Sequence, residues 1–186
     1  MNPPLWAPWR LEYIVGKKPD ACVFCEMTTV STDRFRELLV LVRQPHAFVC
    51  LNRYPFSSAH LLVTPRRHVA DLAELADDEY QALTVLLRET TVRLRRSVGA
   101  AALNVGFNLG RAAGAGIADH LHGHVVPRWD GDTNFMPVLA EVRVMPQHLD
   151  ATYAHLEPAF ADLPGERAEH GPRAERPAAR GTSEAR

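Results

Sequence analysis

Three histidines, His120, His122 and His124, alternate strictly in the segment "HLHGHVVPRW" and make up a third of the chain's nine. In an extended segment alternate side chains share a face, so the three imidazoles form one row while Leu121, Gly123 and Val125 point the other way. An imidazole titrates near pH 6.5, so it can donate, accept, ligate a metal or attack an electrophile. The row is therefore open to three readings. It could be the solvated face of an edge strand, or a metal site, since His-x-His sets two ring nitrogens on one side. It could also be a catalytic row in which one imidazole attacks while its neighbours orient it and bind developing charge. Upstream, "NLGRAAGAG" sets Asn108 ahead of a loop holding Gly110, Gly114 and Gly116. Such a loop lets backbone N–H groups approach an anion closely. A glycine loop feeding a three-histidine strand puts phosphate donors beside a nucleophile, which favours the third reading.

The second cluster with chemical potential is "CVFC", Cys22 and Cys25. A redox pair needs a strand before it and a helix after it, and "KKPDACVFCEM" offers a charged turn instead. Half of a zinc site is the other reading, which needs two further ligands elsewhere in the chain. Cys50 alternates with Val49 and Leu51 in an apolar run and reads as packing. Three cysteines in all do not suggest a disulfide scaffold.

These groups need a frame. With 186 residues, 46% of them apolar, and a net charge of −1, the chain can bury a core. It shows no signature of a surface built for a nucleic-acid polymer. No run of about 18 apolar residues suggests a membrane span, and residues 1–20 lack a secretory apolar core, so a cytoplasmic protein is expected. "LLVLVR" (Leu38–Arg43) and "AFVCLN" (Ala47–Asn52) read as a hairpin, "HLLVTP" (His60–Pro65) as a third strand, "ALNVGFNL" (Ala102–Leu109) as a fourth, and the histidine segment as a fifth. Asp77–Val98 carries the helical stripe Leu83, Leu86, Leu87, Thr90 and Leu94, with acidic residues at its start, arginines at its end and Gly99 as its stop. A second helix is expected over Gln147–Leu163, with Leu149, Tyr153, Leu156 and Phe160 on one face. The organisation expected is an N-terminal arm over 1–20, a domain over 21–163, and a disordered, apolar-poor tail over 164–186. Arg66–His68 and Arg93–Arg96 read as solvated faces, and Trp129 either as surface packing or as a border of the binding site.

"HLHGHVV" fits the pattern His-φ-His-φ-His-φ-φ, with Gly123 at one φ position. With "LWAPWR", "CVFC", "LNRYPFSSAHLLVTPRRHVADL" and "FNLGRAAGAGIADHLHGHVVPRWDGDTNF", the chain resembles the histidine-triad (HIT) superfamily, in the branch related to diadenosine tetraphosphate phosphorylases, over roughly Leu5 to Leu149. The resemblance implies an α+β histidine-triad fold: an antiparallel five-stranded sheet with a long helix and a C-terminal helix, commonly in a homodimer. It implies a nucleotidyl hydrolase or transferase that cleaves dinucleoside polyphosphates at the α-phosphate by phosphorolysis or hydrolysis. Alternatives are a nucleoside phosphoramidate or aminoacyl-adenylate hydrolase, a nucleotide-binding module with little turnover, and a zinc-water hydrolase on the histidine row.

In that family the middle histidine, His122 here, attacks phosphorus and becomes a nucleotidyl-imidazole. His124 binds phosphate oxygens or the leaving bridge. Asn108 and the backbone around Gly116 bind phosphate, Asn52 lies in the ribose-binding segment where many relatives carry an acid, and His60 backs the triad. Ile117 stands where relatives often carry a polar side chain. Some members bind zinc through positions that correspond to Cys22, Cys25, His68 and His120, which makes a closed structural site.

Overall fold

The computed structural model describes residues 21–132 and 148–169. The expected N-terminal arm, the "NFMP" stretch and residues 170–186 lie outside the described residues.

Five strands form one antiparallel sheet in the order β1-β2-β3-β5-β4: β1 Val40–Arg43, β2 Ala47–Leu51, β3 Leu61–Pro65, β4 Ala102–Phe107 and β5 Gly123–Arg128. Every residue of β1, β2 and β3 is buried, because both faces of these strands are covered. This is why their sequences read as continuous apolar runs rather than alternations. On one face lies the long helix, with Leu41, Val49, Leu61 and Val63 against Leu83, Leu86 and Leu94; on the other lie Val40, Phe48, Cys50 and Leu62 against Phe24, Met27 and Phe35. β5 lies between β3 and β4, with His124 opposite Leu62 on one side and Gly106 on the other. A Cβ at Gly123 would lie 2.9 Å from the Phe107 ring. A larger residue at that φ position of the motif would therefore require the Phe107 ring to move.

The long helix spans Asp77–Val98, with Leu83, Leu86, Thr90 and Leu94 buried. The Glu79 carboxylate accepts the Ala76 N–H at 2.9 Å, and Gly99 ends the helix in the left-handed conformation, φ 58°, which costs glycine little. The C-terminal helix, Leu149–Leu156, is shorter than expected and passes into a 3-10 turn, Glu157–Phe160, at Pro158. Tyr153, Leu156 and Phe160 are fully buried along its expected face, and the Tyr153 hydroxyl donates to the Val40 carbonyl at 2.8 Å.

Four further features differ from the sequence reading. A helix forms over Val23–Thr29 with Cys22 as its N-cap, where only a charged turn was expected; Phe24, Met27 and Thr28 are its buried residues. In chain order the helices are α1 (Val23–Thr29), α2 (Phe35–Leu38), α3 (Asp77–Val98) and α4 (Leu149–Leu156). Secondly, β5 begins only at Gly123. His120 and His122 lie on the run into it, where the Leu121 N–H donates to the Val69 carbonyl at 2.6 Å rather than to a strand.

Thirdly, Arg93 is no solvated residue: its guanidinium donates to the Ala159 carbonyl at 2.8 Å and to Asp162 at 2.6 Å, which ties α3 to the chain's end. Arg66 likewise donates to the Thr28 carbonyl at 2.9 Å. Finally, the segment from Pro164 does not leave the domain at once. Arg43 and Glu166 exchange backbone hydrogen bonds of 2.8 and 2.7 Å. The buried Arg43 guanidinium pairs with the Glu166 carboxylate and donates to the carbonyls of Met27 and Val30. A buried guanidinium needs that many acceptors, so residues 164–169 are held although they lack large apolar groups.

Candidate functional site

The three motif histidines meet three different surroundings. At the α1 end, Cys22 Sγ lies 3.3 Å from His120 Nδ1, and Cys25 Sγ lies 3.2 Å from His68 Nδ1 and 3.6 Å from His120 Nδ1. The four ligand atoms of Cys22, Cys25, His68 and His120 all fall within 4.8 Å of one another. A tetrahedral zinc with ordinary Zn–S and Zn–N bonds sets sulfur and nitrogen about 3.6 Å apart, so the set has the right size for that ion. The rest of His120 agrees with this role. Its Nε2–H donates to the Pro65 carbonyl at 3.0 Å, which leaves the Nδ1 lone pair turned toward the sulfurs; metal-bound histidines are commonly held in this way. α1 is what makes the cluster possible, since it places Cys25 one helical turn beyond Cys22.

His122 is held by its own neighbour. Its Nδ1–H donates to the His120 carbonyl at 2.8 Å, so Nε2 carries the lone pair. Phe24, between the two cysteines, packs its ring 5.3 Å from His120 and 5.2 Å from His122. Burial, against the support of the His120 carbonyl, lowers the His122 pKa and keeps the ring neutral near pH 7.

His124 belongs to a second pair. The Phe56 N–H donates to His60 Nδ1 at 3.1 Å, so that nitrogen bears no proton, and neutral His60 must carry its proton on Nε2. That Nε2–H donates to His124 Nδ1 at 3.0 Å, which in turn forces the His124 proton onto Nε2. The opposite tautomer would leave His60 with two unprotonated nitrogens. Asn108 Nδ2 lies 3.4 Å from His124 Nε2; two N–H groups cannot share that contact, so with Nε2 protonated the carboxamide turns its Oδ1 toward the ring. Burial first, then repulsion from neighbouring imidazoles, lowers His60 to about 3 and His124 to about 4. Both are neutral donors near pH 7, not imidazolium ions. His60 is set by a tight turn in which Ala59 takes a left-handed φ of 59°, a strain of about 1–2 kcal/mol.

A cavity of about 790 Å³ opens over His122 and His124, large enough for a nucleotide. Phe24, Met27, Leu38, Cys50 and Leu62 make its apolar side, while Asn52, Gly114, Gly116 and Asp119 are among its polar lining. The structure thus brings His122, His124, Asn52 and Gly116 to one cavity, with His60 and Asn108 in contact with His124; His120 faces the cysteines instead. Asn52 is engaged locally: its Oδ1 accepts the Tyr54 N–H at 2.9 Å and its Nδ2 donates to His60 Nδ1 at 3.2 Å. Ile117 lines the cavity and packs against the α1 cluster, which accounts for an apolar residue at that place. Trp129 donates its indole N–H to the Val98 carbonyl at 3.2 Å and caps the end of α3. Phe24 and Phe56 escaped the sequence reading. The signal for Phe24 was its place inside "CVFC"; Phe56 needed the three-dimensional contact of its ring with His60, 4.9 Å between centroids.

The HIT domain matches residues 36–131. The chain is 35% identical over 169 residues to an AP-4-A phosphorylase of Mycobacterium tuberculosis (strain ATCC 25618 / H37Rv), covering 86% of this chain and 85% of that protein. It is 26% identical over 117 residues to an adenosine 5'-monophosphoramidase of Candida albicans, covering 61% of this chain and 74% of that one. Among solved structures, a hypothetical histidine triad nucleotide-binding protein from Sulfolobus tokodaii strain7 superposes with a TM-score of 0.60 at 25% identity, covering 75% of this chain and 91% of that one.

Proposed function

The chain belongs to the HIT domain family, and on that premise we propose that it cleaves dinucleoside polyphosphates of the diadenosine tetraphosphate kind by transferring a nucleotide to His122 and then to an acceptor. The observation that carries the reading is the His122 ring: Nδ1–H is bound to the His120 carbonyl at 2.8 Å, and the lone pair on Nε2 belongs to a ring that lines the cavity. Nε2 attacks the α-phosphorus. A P–N bond forms, the bond from that phosphorus to the bridging oxygen breaks, and the rest of the substrate departs with the electron pair. Nδ1 keeps its proton, and the His120 carbonyl stabilises the positive charge that develops on the ring. His124 donates its Nε2–H to a phosphate oxygen, while His60 fixes that tautomer. Asn108 and the backbone at Gly116 hold the phosphate. An oxygen of inorganic phosphate, or water, then forms a P–O bond to the bound nucleotide as the P–N bond breaks, which returns the lone pair to Nε2. Identity to the AP-4-A phosphorylase favours phosphate as the acceptor.

Zinc bound by Cys22, Cys25, His68 and His120 belongs to this reading as a structural ion: a closed four-ligand site supplies folding free energy and fixes the backbone that holds His122. Homodimerisation belongs to it too, with β4 at the sheet's edge and Val105 on it 45% exposed. No helix among the described residues is long and apolar enough to cross a membrane. A second reading, hydrolysis of nucleoside phosphoramidates, draws support from the Candida relative and uses the same first step with an amine as leaving group.

One assay separates the readings. The protein is incubated with diadenosine tetraphosphate, with and without inorganic phosphate, and the products are identified. ADP plus ATP formed only with phosphate is the expected result. AMP plus ATP means hydrolysis, and no cleavage alongside turnover of adenosine phosphoramidate transfers the assignment to the second reading.

A further inference from the structure

A dinucleoside polyphosphate brings about one negative charge per phosphate, yet the groups that touch the reacting phosphate here are neutral. His124 and the His60 behind it carry no charge near pH 7, and amides and backbone N–H groups offer only dipoles. Among the described residues lining the cavity, the permanently cationic side chains are Arg53 and Arg111, against one carboxylate, Asp119. The two arginines are held differently. Arg53 spends one edge of its guanidinium on the Glu37 carbonyl, 2.9 Å from Nη2, and borders both this cavity and a neighbouring one of about 440 Å³. Arg111 begins the one-turn 3-10 helix Arg111–Ala113 inside the glycine loop, between Gly110 at φ 80° and Gly114 at φ 89°. It is exposed, and its side chain makes no ion pair or hydrogen bond among the described residues.

An arginine fork with no carboxylate or carbonyl partner among the described residues, beside a glycine loop on a nucleotide-sized cavity, is suited to a phosphate group. We propose that Arg111, supported by Arg53, is the subsite for the phosphates beyond the reacting one: first the departing polyphosphate, and afterwards the inorganic phosphate that accepts the nucleotide. The inference rests on the transfer reading above and adds to it a reason for substrate choice. A leaving group without phosphates gains nothing from Arg111, so this residue separates polyphosphate from phosphoramidate substrates.

The test compares wild type, Arg111→Ala, Arg111→Lys and Arg88→Ala, a change of exposed surface charge on α3, in three measurements. In Arg111→Ala, kcat/KM for diadenosine tetraphosphate is expected to fall about tenfold or more and KM for inorganic phosphate to rise about tenfold, the size of one lost charge-assisted contact. Arg111→Lys should fall between, because it keeps the charge and loses the fork, and Arg88→Ala should match wild type. Turnover of adenosine phosphoramidate by Arg111→Ala should change by less than about threefold, the scale of an exposed charge effect. An equal loss on both substrates would make Arg111 a structural residue, and no loss on either would make it a solvated charge; both outcomes overturn the subsite. Calorimetric binding of inorganic tripolyphosphate judges the subsite without any turnover. If wild type binds it no better than Arg111→Ala, the subsite is refuted even when the transfer reading stands. If wild type binds it about tenfold better but cleaves no polyphosphate, the transfer reading fails and the subsite survives.

Discussion

His120 and His124 stand four residues apart on one motif, carry the same side chain and each pack against other histidines, the first buried and the second half-buried, yet they are held in opposite ways. At His120 the Pro65 carbonyl takes the Nε2 proton, and Nδ1 faces two sulfurs and is fitted to a metal. At His124 the His60 Nε2–H donates to Nδ1, so Nε2 carries the proton and faces Asn108. Between them His122 uses the third arrangement, Nδ1–H on a carbonyl and a lone pair on Nε2. The lesson is that a histidine's chemistry is decided by what holds its other nitrogen. On the proposed reading, a row of identical residues becomes ligand, nucleophile and donor through one carbonyl, a second carbonyl and one imidazole.

The sharpest way to break this comparison is at its middle. His122→Ala removes the attacking nitrogen and leaves the cavity, Asn108 and His124 in place. Turnover should fall by about four orders of magnitude or more while nucleotide binding persists, as for other covalent nucleophiles. Quenched wild type should retain an acid-labile, base-stable nucleotidyl label that the variant lacks. Near-normal turnover, or a label still trapped, would end the assignment of three roles. His124→Ala should cost less, about 10²–10³-fold in kcat, the scale of one lost transition-state donor. A loss as large as that of His122→Ala would mean that the two imidazoles act as one unit.

The His120 end should fail differently. Purified protein should carry about one zinc per chain, and Cys22→Ser should lower both zinc content and Tm, by roughly 10 °C if about 3–4 kcal/mol of metal-linked stability is lost. Metal-free protein with an unchanged Tm would return the cluster to a set of thiol–imidazole hydrogen bonds.

The His60–His124 pair should report itself in acid. His60 is held at about 3 in the folded chain by burial, against about 6.5 when unfolded. Above pH 6.5 both states are neutral and the full stability is present. As pH falls toward 3 only the unfolded chain takes up the proton, so stability declines by about 1.4 kcal/mol per pH unit for this group. His60→Gln can accept the Phe56 N–H and donate to His124 without titrating. Its stability should fall less steeply between pH 6 and 4, by about one proton in the slope, as measured by urea unfolding at a series of pH values. Identical slopes would show that His60 is not buried neutral.

The smallest effect lies furthest from the row. Ending the chain after Glu169 should leave Tm within about 1 °C of the full chain, since the residues removed are charged and poor in apolar groups. Ending it after Leu163 should destabilise by about 1–3 kcal/mol, because the buried Arg43 loses Glu166. Equal stabilities would mean that water replaces the carboxylate at no cost.

Sequence alone settled what depends on local pattern. The stripe of Leu83, Leu86, Thr90 and Leu94 with its charged ends defined α3 to the residue, because periodicity and capping are local properties. The paired apolar runs marked β1 to β3, although Leu38 ends α2 and Leu39 makes a left-handed turn before β1 begins at Val40, and spacing singled out the histidine row, the glycine loop and the cysteine pair. Tertiary structure decided the rest. α1 was invisible because seven residues carry too little periodicity, and its stability comes from packing Phe24 and Met27 against β2 and β3. The hold on residues 164–169 was invisible because it rests on the buried Arg43, over 120 positions away in the chain. Above all, no pattern in "HLHGHVV" says which nitrogen of each ring bears the proton. That choice is made by the Pro65 and His120 carbonyls and by a Phe56 N–H acting through His60. These are backbone groups or distant residues whose positions exist only once the sheet has formed.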